Sequence, residues 1–242
     1  MKIKLTLSLL IIVLCESLSV AQISVGAKVG ANLNQFNQPG TTFGFSGGAF
    51  VKYKPVSFLD VRAEVLYNQQ GGARQDYYRD YSSIGGNVSY VNYSNRSVVL
   101  HNLEIPLLLE LSHPSFSDEY ISPRLVVGAA YGMNLSAYEQ HDKMYYFSNS
   151  TIPFANTSDE TENVGSNYTQ NQWGFVAGFA LDFTSGDQTC TFEVRYRKGL
   201  NQLNNLSYVV PPLDGLPGTV GQQGDLYSSS LTISFAMTLF KF

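Results

Sequence analysis

The sequence has few of the residues on which enzymes and disulfide scaffolds are built. It holds two cysteines and three histidines in 242 residues. Cys15 lies in a leader-like segment, so the exported chain keeps Cys190 alone and has no internal disulfide. The histidines, at 101, 113 and 141, are scattered, which argues against a metal cluster. Lys and Arg are outnumbered by Asp and Glu, which excludes a nucleic-acid footprint. No glycine loop cradles phosphate. After the leader no apolar run is long enough for a spanning helix, which needs about 20 residues.

Residues 1–21 read as a cleaved signal peptide. Lys2 and Lys4 precede an apolar run, Leu5 to Leu14, and Ser19-Val20-Ala21 supplies the small residues of a cleavage site. Residues 22–242 then form one domain. Removing Lys2, Lys4 and Glu16 leaves 13 basic and 18 acidic residues, a net charge of −5.

What remains is rich in Gly, Tyr, Phe, Ser and Asn, and alternates. In Leu103-Glu-Ile-Pro-Leu-Leu-Leu-Glu-Leu111 every odd residue is aliphatic, while Glu104 and Glu110 share the other face. Period two means a strand with two unlike sides. Eight such segments are predicted, near 23–34, 42–53, 58–69, 97–111, 123–136, 172–183, 189–200 and 229–242. Each is long enough to cross a bilayer as a tilted strand, about 9–11 residues. The links between them are short at 54–56, 113–120 and 185–187, and mostly longer at 70–96, 137–171 and 201–228; the first, 35–41, is short. This predicts an eight-stranded antiparallel up-and-down transmembrane barrel, with ten strands as the alternative. A soluble sandwich would place the same polar faces in water.

The polar faces carry Lys28, Lys52, Arg62, Arg124, Arg195 and Arg197 against Asp60, Glu64, Glu104, Glu110, Asp182 and Glu193. An eight-stranded interior is just wide enough for side chains to fill. Six charges of each sign predict a paired network plugging the lumen. Inward glycines at 26, 30, 44, 48, 128, 132, 174 and 178 are expected to relieve crowding and permit curvature. Aromatics near strand ends predict two girdles, with Phe43, Tyr67, Tyr138 and Trp173 outside and Tyr53, Phe58 and Phe183 inside. Two irregularities are expected. Pro106 cannot donate a ladder bond, which calls for a local bulge or a missing ladder bond, and the terminal Phe240 and Phe242 fall out of phase with the odd-numbered apolar face of their strand, which calls for a bulge.

As a set, several motifs resemble the PorT-type outer-membrane β-barrel family of Bacteroidota: Gly26-Ala-Lys-Val-Gly-Ala-Asn-Leu33, Leu103-Glu-Ile-Pro-Leu-Leu-Leu109, Gly128-Ala-Ala-Tyr-Gly132, Val194-Arg-Tyr-Arg-Lys-Gly-Leu200 and the strand ending at Phe242. The resemblance implies an eight-stranded barrel in a Gram-negative outer membrane, recognised by the barrel assembly machinery through its last strand. Its namesake is linked to type IX secretion, so an accessory secretion role is an alternative to a structural or binding one.

No catalytic, cofactor or metal residues are predicted. Glu104 and Glu110 are about 20 Å apart at about 3.3 Å per residue, too far for a catalytic pair. A rim lipid hydrolase using His101 with Ser97 or Ser136, or a narrow pore, are lower readings. The long connections are the predicted recognition surface for a protein or glycan, through Tyr77, Tyr78, Tyr81, Tyr90, Tyr93, Tyr145 and Tyr146, because loops on a rigid scaffold carry binding.

Overall fold

The structure, a computed structural model, describes residues 22–74, 77–80, 90–113, 116, 120–147, 152–153, 155–186, 188–204 and 225–242. The predicted signal segment and Tyr81 lie outside these residues.

Eight strands form a closed antiparallel ring: β1 (Gln22–Phe36), β2 (Thr41–Val56), β3 (Leu59–Ala73), β5 (Tyr90–Ser112), β6 (Ile121–Tyr146), β8 (Asn171–Ser185), β9 (Gln188–Gly199) and β10 (Ser228–Lys241). The ring order is β5-β3-β2-β1-β10-β9-β8-β6, and β6 returns to β5. Two further strands, β4 (Tyr77–Asp80) and β7 (Ala155–Asn163), do not enter the ring. They flank the outer ends of β5 and β6, so the ten-strand alternative fails for the membrane wall.

β5 and β6 are much longer than the segments predicted at 97–111 and 123–136. Tyr90–Ser94 pairs with Asp142–Tyr146, carrying both strands out of the barrel. The order β4-β5-β6-β7 makes a four-stranded sheet above the rim. Much of the connections predicted at 70–96 and 137–171 is therefore β-structure, because the long β5–β6 pair offers edges on which β4 and β7 add.

The outer wall is apolar. Val29, Phe45, Val65, Leu107, Leu125, Phe179, Ile233 and Phe235 all point outward and are exposed. A surface of this composition fits lipid, where only a closed ring satisfies every backbone group. Phe43 (84% exposed), Tyr138 and Trp173 stand at the outer end, and Phe58 and Phe183 at the turn end.

Both expected irregularities occur. Val25 pairs with Phe240 but Gly26 pairs with Thr238, so Leu239 is bulged out of register. The bulge turns Phe240 outward beside Leu239, and it reconciles the two phases of the last strand. At Pro106 there is no bulge. The β3–β5 register runs from Leu59↔Leu111 to Ala73↔Ser97 unshifted, yet the pairs joining Glu64 to Pro106 and Val65 to Ile105 are missing. On its other side Pro106 pairs with Ala130. The missing donor thus interrupts one ladder and spares the other.

Two more bulges lie in β5–β6, between Ser94 and Ser97 and between His101 and Asn102. The second leaves Leu135 unpaired. It switches the inward phase of β6 from even residues to Ala137, Glu139 and His141, all buried.

Glycine is required where strands crowd. A Cβ on Gly128 would lie 2.1 Å from the Leu107 carbonyl oxygen, whereas one on outward Gly47 would meet nothing nearer than 3.6 Å. Gly128→Ala is expected to lower folding stability by about 1–3 kcal/mol, and Gly47→Ala to leave it unchanged. Urea unfolding of the barrel in detergent, followed by heat-modifiable gel mobility, reads the difference.

Candidate functional site

The lumen brings together all twelve charged residues of the polar faces, each buried. They stack in three levels. Nearest the turn end, Lys52 lies 2.9 Å from Glu110, 3.6 Å from Asp182 and 3.9 Å from Asp60. Arg124 contacts Asp60, and its Nε donates to Asp182 at 2.6 Å. In the middle, Lys28 lies 2.9 Å from Glu193 and 3.4 Å from Glu64. Arg195 grips Glu64 with two hydrogen bonds of 2.8 Å and also contacts Glu193. Toward the outer end, Arg197 lies 3.1 Å from Glu104, which accepts from Asn68 (2.8 Å) and Gln70 (3.0 Å).

Formal charges explain how the levels join. The lowest holds two cations and three anions; the middle holds three cations and two anions. Arg62 links them. Its Nη1 lies 2.7 Å from Glu110 below, its Nε 2.9 Å from Glu64, and it also contacts Glu193.

The lumen is not polar throughout. Phe50, Leu66, Leu108, Val126, Ala130, Val176 and Ala180 point inward. The Phe50 ring lies where a Cβ on Gly26 would be, and the Arg62 guanidinium sits 6.0 Å from its centroid. The even positions Phe50 and Leu66 were visible in the sequence as apolar residues on polar faces.

Above the charges the outer mouth is closed by an apolar lid. Phe36, Val98, Leu100, Ala137, Val164, Tyr168, Leu203 and Leu226 form one buried cluster. The segments after β7, after β9 and before β10 supply half of it. They are tied by backbone bonds, Thr169 N–H to the Leu203 carbonyl at 2.6 Å and Leu203 N–H to the Leu226 carbonyl at 2.8 Å. Arg96 clasps Glu139 with two bonds (2.5 and 3.0 Å), and Arg74 donates to the Tyr168 hydroxyl at 2.7 Å. At the opposite end a cavity of about 190 Å³ remains, lined by Lys52, Asp60, Arg124, Asp182 and Lys241 among others.

The other candidates fare differently. His101 and Ser136 are directly paired across strands, but the His101 Nδ1 is bonded to the Tyr67 hydroxyl. The His101 ring packs against Tyr67 and Tyr138, and among the described residues neither Ser97 nor Ser136 bonds it. Tyr93 is only 6% exposed and packs edge-on against His141, which removes it from the predicted recognition surface. Tyr145 and Tyr146 are half-buried on outer β6; Tyr77, Tyr78 and Tyr90 lie on strands, not loops. His113 is in the β5–β6 connection beside Phe116.

His141 had no matching partner in the sequence, yet β6–β7 pairing sets it opposite Glu160. Burial pushes its imidazole toward the neutral form. Burial opposes the charge on Lys143, but hydrogen bonds to Glu160 and Glu162 outweigh it and keep Lys143 charged.

A closed eight-stranded ring with an apolar exterior and a neutralised, filled interior defines a transmembrane β-barrel. The chain belongs to the outer membrane protein beta-barrel domain family, whose model matches residues 18–205. It is thus a barrel of the Gram-negative outer membrane, embedded in lipid. No curated protein matches it. Among solved structures it is similar to Neisserial surface protein A, at 12% identity over 90% of this chain and 99% of that one, with a TM-score of 0.44. The attachment invasion locus protein of Yersinia pestis is 11% identical over 90% and 98%, with a TM-score of 0.37. OprG from Pseudomonas aeruginosa is 12% identical over 92% and 95%, with a TM-score of 0.38.

Removing one partner of this network strands another charge in a closed space. Glu193→Gln, which leaves Lys28 and Arg195 to face Glu64 alone and takes one anion from Arg62, is expected to cost about 3–5 kcal/mol, read as a lower urea midpoint for the folded barrel; an unchanged midpoint would contradict the pairing.

Proposed function

We propose that this barrel is a non-catalytic, non-conducting scaffold that holds the four-stranded sheet β4-β5-β6-β7 outside the cell to bind a protein or glycan. The observation that carries this reading is the double closure of the lumen, by an ion-paired network and by an apolar lid above it. A barrel built to conduct would leave both of these open. The rigid wall continues directly into β5 and β6, so whatever the sheet binds is held at a fixed height above the lipid.

In this reading the leader 1–21 directs export, and the strand ending at Phe242 is the segment the assembly machinery takes. The PorT-type motifs quoted above support a finer placement in that family and in Bacteroidota. An accessory role in type IX-like secretion, to which that family's namesake is linked, is the second reading, and it differs only in the partner captured.

Purified protein in planar lipid bilayers is expected to give no sustained conductance, and a stable open level would contradict the scaffold reading. A photo-reactive residue at Met144, on the outer sheet, is expected to yield a defined adduct in native outer membranes, whereas one at lipid-facing Leu125 is not. Background labelling at both would remove the binding role. His101→Ala is expected to leave the membrane lipid profile unchanged; an altered profile would restore the hydrolase reading.

A further inference from the structure

β7 poses a physical problem. Its sequence, Ala-Asn-Thr-Ser-Asp-Glu-Thr-Glu-Asn, buries none of its residues. It pairs along one side with β6, and Ala155 is its one apolar residue. Pairing alone holds an edge strand weakly, since most strand stability comes from side-chain packing. Gln140 Nε2 donates to Asp159 Oδ1 at 3.1 Å and the Asp159 N–H to Asp142 Oδ1 at 3.0 Å; any further hold comes from the face on which Glu139, His141 and Lys143 of β6 meet β7.

That face carries Glu139, His141 and Lys143 from β6 and Glu160 and Glu162 from β7. Glu139 is committed to Arg96 through two hydrogen bonds. Lys143 Nζ lies 2.5 Å from Glu160 and 2.7 Å from Glu162. Counting Arg96 and Lys143 against three carboxylates, the face is one positive charge short. His141 is the unusual member. Its side chain is 2% exposed, yet neither ring nitrogen has a hydrogen-bond partner. Buried imidazole nitrogens ordinarily find one. One ligand atom from each of His141, Glu160 and Glu162 lies within 4.8 Å of the other two.

We propose that His141, Glu160 and Glu162 form a binding site for one divalent transition-metal ion of the zinc class, which clamps β7 to β6 on the extracellular sheet. One imidazole and two carboxylates supply three ligands, and the exposed side of Glu162 leaves room for water as a fourth. The nitrogen ligand favours zinc-like ions over calcium or magnesium, which take oxygen alone. The Lys143 ammonium now rests between the same two carboxylates, as a single-charged competitor for the seat. In that same position its Nζ lies 5.5 Å from the Tyr93 ring, a contact it can keep when the ion takes the carboxylates. The clamp does not depend on what the sheet binds.

The test uses the full-length barrel folded in detergent, stripped with chelator and titrated with cobalt(II) in the visible range and with zinc by calorimetry. One ion per chain is expected, with zinc slowing amide exchange in β7. His141→Ala should abolish binding, and Glu160→Gln should weaken it about tenfold or more, in samples whose heat-modifiable mobility shows a folded barrel. His101→Ala and His113→Ala should bind as the wild type does. Lys143→Gln should bind more tightly, having lost the competing ammonium; weaker binding there would place the ion elsewhere and overturn the assignment. Absence of stoichiometric binding by the wild type, or binding that survives in folded His141→Ala, would also overturn it.

Discussion

The constraint from which the rest follows is neutrality inside a closed ring. A sheet in lipid must leave no backbone group unpaired, so its edges have to meet. Once eight strands close, the interior is too narrow for a column of water to solvate buried charges. Each charge on an inward face must then be met by another across the barrel. The unequal levels, one anion in excess below and one cation in excess above, are balanced through Arg62, which reaches both.

This balance also bears on register. Slipping any strand by one residue would turn its charges into lipid and its aliphatic face into the lumen. Buried ion pairs add little net stability over apolar packing of the same volume. Here their stronger effect is to make wrong pairings costly. The same logic explains why Pro106 is tolerated. Its missing ladder pairs face β3, while Glu104 before it and Glu110 further along the same inward face are fixed by contacts with Arg197, Arg62 and Lys52.

The barrel wall was legible because lipid and lumen impose opposite chemistry on alternate residues, so Leu103 to Leu111 announced both faces at once. The need for a bulge in the last strand was legible from the phase conflict of Phe240 and Phe242, although only pairing located it at Leu239. What lay above the rim was less so. The bulge at Leu135 reverses the phase of β6, so Glu139 and His141 turn inward where a continuous alternation would turn them out. Arg96 likewise follows Asn95, whose φ of 50° breaks the strand pattern. The lid joins Phe36, Leu100, Leu203 and Leu226 from four distant stretches, and no local period encodes such a cluster. The twelve lumen charges could be grouped from sequence, but not their division into levels, which depends on stagger between strands.

The lumen charges act as one interdependent set. A double-mutant cycle on Glu64 and Arg195, which share two hydrogen bonds of 2.8 Å, tests it most directly. With Glu64→Gln, Arg195→Met and both together, urea unfolding in lipid is predicted to give a coupling above about 1 kcal/mol. Additive effects of the two substitutions would mean that the lumen charges act independently.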